Sequence, residues 1–102
     1  MLLVILAHGL SGCAAYDAYR KCGLRGCPGD AQVTAAVQAL FHAHTELGPP
    51  NQLYVQTLDG VVYLSGQLAT GLQREIAVAL ARQAPGERGV VDSIALEYNG
   101  RG

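Results

Sequence analysis

The sequence carries little charge. Only 15% of its 102 residues are charged, and seven basic against eight acidic side chains give a formal net charge of −1. A protein that wraps nucleic acid by bulk charge needs a strong basic excess, so this composition excludes that class and we expect no nucleic-acid partner. The basic side chains are nevertheless concentrated near the N-terminus, where residues 14–29 contain three of them and one acid.

The chain also has no apolar run long enough to cross a bilayer. Its N-terminal apolar run, residues 2–10, falls well short of the roughly 20 residues that a membrane-spanning helix needs. That length suits the core of a secretory signal peptide, although no Lys or Arg precedes the run. We therefore expect residues 1–12 to be a signal peptide that directs export.

The run ends in Leu10-Ser11-Gly12-Cys13, which resembles the lipobox of bacterial lipoproteins. In that motif, small residues fit a peptidase cleft and the cysteine thiolate receives a diacylglycerol. The resemblance implies a mature protein that starts at Cys13, carries lipid including palmitate, and faces the periplasm from the outer membrane, because the neutral Ala14 resembles proteins sorted there. A buried N-terminal helix with a chance cysteine and an uncleaved short anchor are the alternatives.

Residues 13–29 are then the lipidated N-terminus and a linker. Their basic side chains, Arg20, Lys21 and Arg25, come within reach of lipid headgroups if Cys13 is acylated. Each adds about 1 kcal/mol of attraction next to anionic lipid. Ordinary solvated linker charges are the alternative interpretation of these three residues.

Three cysteines leave one without a partner in an oxidising compartment. If Cys13 carries lipid, Cys22 and Cys27 remain, and two of the four residues between them are Gly. Such a loop can turn tightly enough for a disulfide. A metal site would need two more ligands, for which His42 and His44 are available only in a different element. We therefore expect a disulfide here and no metal.

The body of the chain, residues 30–98, begins with a predicted helix. Asp30 is its expected N-cap, because the carboxylate can accept hydrogen bonds from free backbone N–H groups. Gly48-Pro49-Pro50 is expected to end the helix, since proline cannot continue it. The residues that recur at helical spacing on its core side are Val33, Ala36, Val37, Leu40, His44 and Leu47.

A β-hairpin follows. Asp59-Gly60 separates two β-prone runs, and both positions of a two-residue turn need the positive φ that Asp and Gly tolerate. The turn sets the register, with Leu58 opposite Val61. One face of the hairpin is then aliphatic and suits a core, whereas the other is half polar and suits partial exposure. The first face contains Val55, Thr57, Val62 and Leu64, and the second contains Tyr54, Gln56, Tyr63 and Ser65.

Thr70 and Gln73 form the capping-box pattern of a second helix, which Pro85-Gly86 ends. Residues 90–98 predict a last strand, and the crossover makes it parallel to the second strand of the hairpin. The expected fold class is α+β: a small α-β-β-α-β domain with two helices on one face of a three-stranded mixed sheet, before a tail at residues 99–102. The predicted apolar stripe of the second helix comprises Leu72, Ile76, Ala79 and Leu80.

Several short motifs in this body occur together. They are Asp30 with Val33 and Val37, the run Val55-x-Thr57-x-Asp59-Gly60-x-Val62-x-Leu64-Ser65-Gly66, Glu75-x-Ala77, and Gly89-Val90. In this combination the body resembles the BON domain, a small module of the bacterial envelope, over about residues 30–98. The resemblance implies an α-β-β-α-β fold and a periplasmic or membrane-attached role, for which the family is thought to bind phospholipid or other hydrophobic ligands.

The sequence offers little that suits catalysis. Ser65 has no His or acid placed to activate it, and Glu75 has no second carboxylate beside it. The glycines lie at predicted turns, and no glycine-rich phosphate loop is present. We therefore expect no enzymatic activity and no cofactor.

Two functional hypotheses follow. The first is a lipid-anchored envelope module that binds membrane phospholipid and supports outer-membrane integrity. The second is a periplasmic interaction or structural protein whose open sheet face or edges pair with another envelope protein or a second copy. Tyr54 and Tyr63 would form a binding patch on that face, and simple stabilisation of the sheet is the alternative interpretation of the two tyrosines.

Overall fold

The computed structural model describes residues 12–23 and 26–96. In this part of the chain the helices are α1 (Gly12–Cys22), α2 (Asp30–His42), a 3₁₀ helix (Thr45–Leu47) and α3 (Gly71–Ala81). The strands are β1 (Gln52–Leu58), β2 (Val61–Leu68) and β3 (Gly89–Leu96). None of the described helices has the length and apolar character needed to cross a bilayer.

The three strands form one mixed sheet in the order β1-β2-β3. β1 pairs with β2 antiparallel, and β3 pairs with β2 parallel. Helices α2 and α3 pack on the same face of this sheet. The predicted α+β class and its α-β-β-α-β order are therefore confirmed for the body of the chain.

The hairpin has the predicted turn and register. Asp59 and Gly60 have φ angles of 53° and 84°, and Leu58 lies opposite Val61. Further along the hairpin, Gly66 also has a positive φ, 113°. A Cβ atom at Gly66 would overlap the backbone carbonyl of Gln52, so the close approach of β1 and β2 at this point requires glycine.

The core lies between the sheet and the two helices. Val62, Leu64 and Leu68 of β2 are fully buried beneath α2 and α3. Burying one such side chain contributes roughly 1.5–3 kcal/mol, so this layer is the main stabilising feature of the domain. The other buried members of the core are Val33, Val37, Phe41, Leu47, Ala77, Leu80, Ala81, Ala84 and Ile94.

Asp30 does not cap α2, so that prediction was wrong. The N-cap is Gly29, at φ 91°, and α2 has no side-chain cap. The buried carboxylate of Asp30 instead accepts hydrogen bonds from the backbone N–H groups of Asp59, at 2.8 Å, and Gly60, at 2.9 Å. It therefore joins the start of α2 to the hairpin turn, because the fold brings these two turn amides to it.

α2, the helix predicted at the start of the body, is also shorter than predicted. α2 ends at His42, not at Gly48, and the chain turns into the 3₁₀ helix through His44, which has an extended backbone. The ring Nδ1 of His44 lies 3.0 Å from the carbonyl oxygen of Leu40, to which it donates. The turn returns Leu47 to the core, which is why Leu47 fits the helical spacing although it lies outside the helix.

The capping box of α3 is present: the Thr70 hydroxyl accepts from the Gln73 amide, and the Gln73 side chain accepts from the Thr70 amide. The predicted stripe of this helix was partly wrong. Leu72 is 67% exposed, whereas Ala77 and Ala81 are fully buried. Small side chains at positions i and i+4 form one face, and they allow the helix to lie close to the sheet.

Two further differences concern the ends of the described chain. α1 forms over residues for which only a lipidated N-terminus and linker were predicted. The last strand is described as far as Leu96, so the predicted continuation to Tyr98 lies outside the described residues.

Candidate functional site

The sheet has a second face that α2 and α3 do not cover, which we call the open face. Side chains alternate along a strand and partners in register share a face, so the pairing assigns its members. Tyr54 and Val91 are its most exposed large apolar side chains, at 58% and 41%. The open face comprises Gln52, Tyr54, Gln56, Leu58, Val61, Tyr63, Ser65, Gln67, Gly89, Val91, Ser93 and Ala95.

Helix α1 and the hairpin end of the open face line one cleft of about 550 Å³, which we call the α1 cleft. Two of the three basic residues predicted to contact lipid, Arg20 and Lys21, lie on its α1 side, and Tyr63 of the predicted binding patch lies on its sheet side. The structure thus brings together residues from both functional hypotheses. The lining residues are Asp17, Arg20, Lys21, Leu58, Asp59, Val61 and Tyr63.

An ion pair joins α1 to the hairpin turn across this cleft. Lys21 Nζ lies 2.6 Å from Asp59 Oδ2, and Arg88 Nη1 lies 3.5 Å from the same oxygen. Arg88 also donates to the Asp59 carbonyl oxygen at 3.1 Å. The hydrogen bond from Lys21 lowers the pKa of Asp59 below its ordinary value, and the charges of Lys21 and Arg88 add to this effect. Asp59 therefore holds α1 and Arg88 together at the hairpin end of the cleft.

Arg20 has a different environment on α1. Its guanidinium carbon lies 5.8 Å from the ring centroid of Tyr16, which is within the range of a cation–π contact. Tyr16 and Tyr19 are each 49% exposed. The exposed surface of α1 therefore presents two amphipathic rings together with a guanidinium that lines the cleft, a combination typical of side chains at membrane–water interfaces.

Sequence reasoning missed Tyr16 and Tyr19. In a lipidated N-terminus and linker, as predicted for residues 13–29, the spacing of residues does not indicate which side chains share a face. Positions 16, 19 and 20 are three and four residues apart, so they share one face once the segment is helical. That spacing was the signal that could have identified them.

Tyr54 and Tyr63 share the open face, as predicted, but they do not have the same surroundings. Tyr63 lies opposite Gln56, and Tyr54 lies opposite Ser65, so the two rings are diagonal neighbours, with Cα atoms roughly 7–8 Å apart in such pairs. Only Tyr63 lines the α1 cleft. Tyr54 belongs to the part of the open face that α1 leaves uncovered.

The two predicted disulfide partners lie together. The Cα atoms of Cys22 and Cys27 are 4.8 Å apart, and their sulfurs are at disulfide distance. This pair connects the last residue of α1 to the segment before α2. The lipidation prediction at Cys13 concerns a side chain outside the described set, and Arg25 lies outside the described residues.

One group in the described chain has metal-ligating side chains close together. The ligand atoms of Cys22, Cys27 and Asp59 lie within 4.8 Å of one another. Sulfurs joined in a disulfide offer no thiolate to a metal, and metal binding requires the thiolate. Lys21 also occupies the Asp59 carboxylate. The arrangement therefore favours a disulfide next to an ion pair over a metal centre.

The geometry of the α1 cleft suits a ligand with an anionic and an apolar part. On the α1 side Arg20 and Lys21 supply positive charge and Asp17 supplies one negative charge. Asp59 at the hairpin turn is paired with Lys21, which leaves Arg20 as the available cation. Leu58, Val61 and Tyr63 supply apolar contact on the other side. A phosphate ester with attached hydrocarbon has this combination. A guanidinium binds phosphate oxygens through paired N–H donors.

Comparison with known families gives a match over the body of the chain. The family model described as the BON domain matches residues 29–98, and no match was found among the curated proteins. The matched segment begins at the N-cap of α2 and includes all three strands, whereas α1 lies outside it. BON domains are associated with phospholipid binding. Because the match covers more than half of the chain and the α-β-β-α-β order is present, this chain belongs to the BON domain family.

Proposed function

We propose that this protein is a non-enzymatic, lipid-anchored module of the bacterial cell envelope that binds anionic phospholipid in the α1 cleft and supports outer-membrane integrity. One observation carries the proposal: Arg20 and Lys21 line the same cleft as the apolar side chains of Leu58, Val61 and Tyr63. The association of the BON family with phospholipid binding supports it.

Arg20 is the main phosphate ligand in this proposal. Lys21 is engaged by Asp59 at 2.6 Å, so part of its charge is already neutralised. Arg20 stacks on Tyr16, and a cation–π contact leaves the edge N–H groups of the guanidinium free to donate to a phosphate. The apolar side chains of the cleft, Leu58, Val61 and Tyr63, then contact the glycerol and the first carbons of the acyl chains.

A lipid anchor at Cys13 is compatible with lipid binding in the α1 cleft. Acylation at Cys13 would place the lipid near the start of α1, and an 11-residue helix is about 16 Å long. The cleft at the other end of α1 would then stay within reach of the headgroup layer. The exposed rings of Tyr16 and Tyr19 are suited to that layer, where tyrosine is enriched.

Co-sedimentation with liposomes tests the proposal. Full chain carrying Cys13→Ala is mixed at low salt with vesicles of neutral lipid alone or with anionic lipid. Arg20→Gln should lower partition onto anionic vesicles about fivefold, since one basic side chain near anionic lipid contributes about 1 kcal/mol. The matched control is Arg82→Gln at the C-cap of α3, outside the α1 cleft, which should change partition less than twofold.

All variants keep the N-terminal apolar run, so differences among them report on the cleft and not on that run. Equal partition of the Arg20→Gln and Arg82→Gln variants would contradict the proposed site. Equal partition of the Cys13→Ala chain onto neutral and anionic vesicles would contradict headgroup recognition altogether.

The exposed part of the open face favours a second candidate, an interaction with another envelope protein. Tyr54 and Val91 are exposed there, away from α1. Tyr54→Ser should weaken such an interaction and leave partition onto anionic vesicles unchanged. Loss of vesicle binding in this variant would remove the second candidate, because the ring would then serve the lipid.

A further inference from the structure

β1 is an edge strand, and its backbone has a free side. In a two-residue hairpin, the residues flanking the turn form a hydrogen-bonded pair, and pairing then alternates. Leu58 and Val61 flank the turn, so the N–H and C=O groups of Leu53, Val55 and Thr57 point away from β2. Within the described residues, no other backbone hydrogen bond engages these three positions.

A groove of about 530 Å³ lies beside this free edge, and we call it the edge groove. Its apolar surface comes from Phe41 at the end of α2, Leu47 of the 3₁₀ helix, and Leu53 and Val55 of β1. Leu53 and Val55 are only half-buried although they face the core side. The core layer is therefore incompletely covered along this edge.

The edge groove and β1 lack acidic, lysine and arginine side chains, and His42 and His44 are the histidines of the groove lining. Native edge strands are commonly protected by charged residues, proline or bulges, and the register of β1 with β2 is continuous. A Lys or Arg side chain entering the groove would lose its hydration without meeting a carboxylate. The apolar side chains that dominate the contact surface, Phe41, Leu47, Leu53 and Val55, favour an apolar occupant.

The unpaired backbone groups along β1 indicate which kind of molecule can occupy the edge groove. An acyl chain would fill the edge groove but leave the outward N–H and C=O groups without partners. A second copy would bring its own β1 within ~4.8 Å. Its α2, which packs chiefly against β1, would then be too close to the first α2, because packed helices need about 8–10 Å between axes.

We infer that the free edge of β1 and the edge groove bind an extended peptide segment of another protein. The segment adds a fourth strand next to β1, and its backbone pairs with Leu53, Val55 and Thr57. Its alternate side chains, uncharged and apolar, enter the edge groove. Strand addition of this kind takes affinity from the main-chain hydrogen bonds and selectivity from the side-chain pockets. The site is separate from the α1 cleft.

A synthetic peptide with the sequence of residues 52–58, blocked at both ends, is a suitable probe because it is uncharged and alternates apolar residues. It is titrated into the ¹⁵N-labelled full chain, and amide hydrogen exchange is measured by NMR. Exchange at Leu53, Val55 and Thr57 should slow at least tenfold at saturation. Exchange at Tyr54 and Gln56, which already bond to β2, should change little.

Two peptides N-methylated on alternate residues separate strand addition from simple apolar contact without altering the protein. Methylation of the amides that face β1 should abolish binding, whereas methylation of the other set should be tolerated. On the protein, Val55→Lys should weaken binding at least tenfold, and the neighbouring Gln56→Lys, which makes the same change on the open face, should weaken it less than threefold.

The inference is overturned if the peptide slows exchange at none of the three amides at millimolar concentration, or if both methylated peptides bind equally. It is also overturned if the same amides become protected with rising protein concentration alone, which indicates a second copy, or with anionic vesicles alone, which indicates lipid. Arg20→Gln should leave peptide binding unchanged, so failure of the lipid proposal and failure of this one give different results.

Discussion

Replacing Asp30 by Asn tests whether its buried carboxylate holds the hairpin turn. The carboxylate accepts from two turn amides, at 2.8 and 2.9 Å, and a hydrogen bond to a charged group contributes about 1.5–3 kcal/mol. Asn offers one carbonyl oxygen and places an NH₂ group against the other amide. We expect a loss of about 2–3 kcal/mol in the free energy of unfolding.

The same substitution would be nearly neutral if Asp30 were an N-cap, because Asn and Asp are equivalent at that position. Urea unfolding followed by circular dichroism measures the difference, and the midpoint should fall while the slope stays constant. Glu75→Gln is the matched control, since it makes the same change at an exposed acid on α3 and should stay within about 0.5 kcal/mol. An Asp30→Asn variant within 0.5 kcal/mol of the parent refutes the anchoring role.

Gly66→Ala should destabilise the domain by about 3 kcal/mol or more in urea unfolding, because its Cβ overlaps the Gln52 carbonyl at a positive φ; parental stability would contradict this close approach. Lys21→Met should remove a pH-dependent contribution to the free energy of unfolding. The pKa of Asp59 is lowered in the folded state, chiefly by Lys21, so the contribution is present above the pKa of an ordinary aspartate, about 3.9, and disappears as the pH falls through the lowered value. Unfolding curves between pH 2 and 6 should therefore differ between parent and variant at the upper end and converge at the lower end; a constant difference would exclude Asp59 as the cause.

The features that the sequence predicted correctly depend on short segments. The Asp59-Gly60 turn needs only two residues with positive φ, and it then dictates the register of the entire hairpin. The capping box of α3 needs only Thr70 and Gln73, three residues apart. Such local chemistry is visible in a single sequence.

The features that were missed depend on residues far apart in the chain. Asp30 has the composition of an N-cap, but the two turn amides that it binds lie 29 and 30 residues away. Ala77 and Ala81 form the buried face of α3 because the helix approaches the sheet closely, and hydrophobic spacing alone gave more weight to Leu72. Such distances between elements are set by the packed fold.

The α1 cleft was missed for the same reason. The individual residues Arg20, Lys21 and Tyr63 were selected from the sequence, but as members of two unrelated surfaces. Lys21 meets Asp59 across 38 residues of chain, and no local pattern indicates that α1 ends against the hairpin turn. The sequence therefore predicted the site residues better than it predicted the site.

NMR titration of the full chain carrying Cys13→Ala with anionic lipid micelles tests the central claim most directly. The account predicts that the largest amide shifts occur at Arg20, Lys21 and Tyr63, and that Arg20→Gln weakens the titration. Shifts confined to the exposed surface of α3, or none in the α1 cleft at saturating lipid, would contradict it.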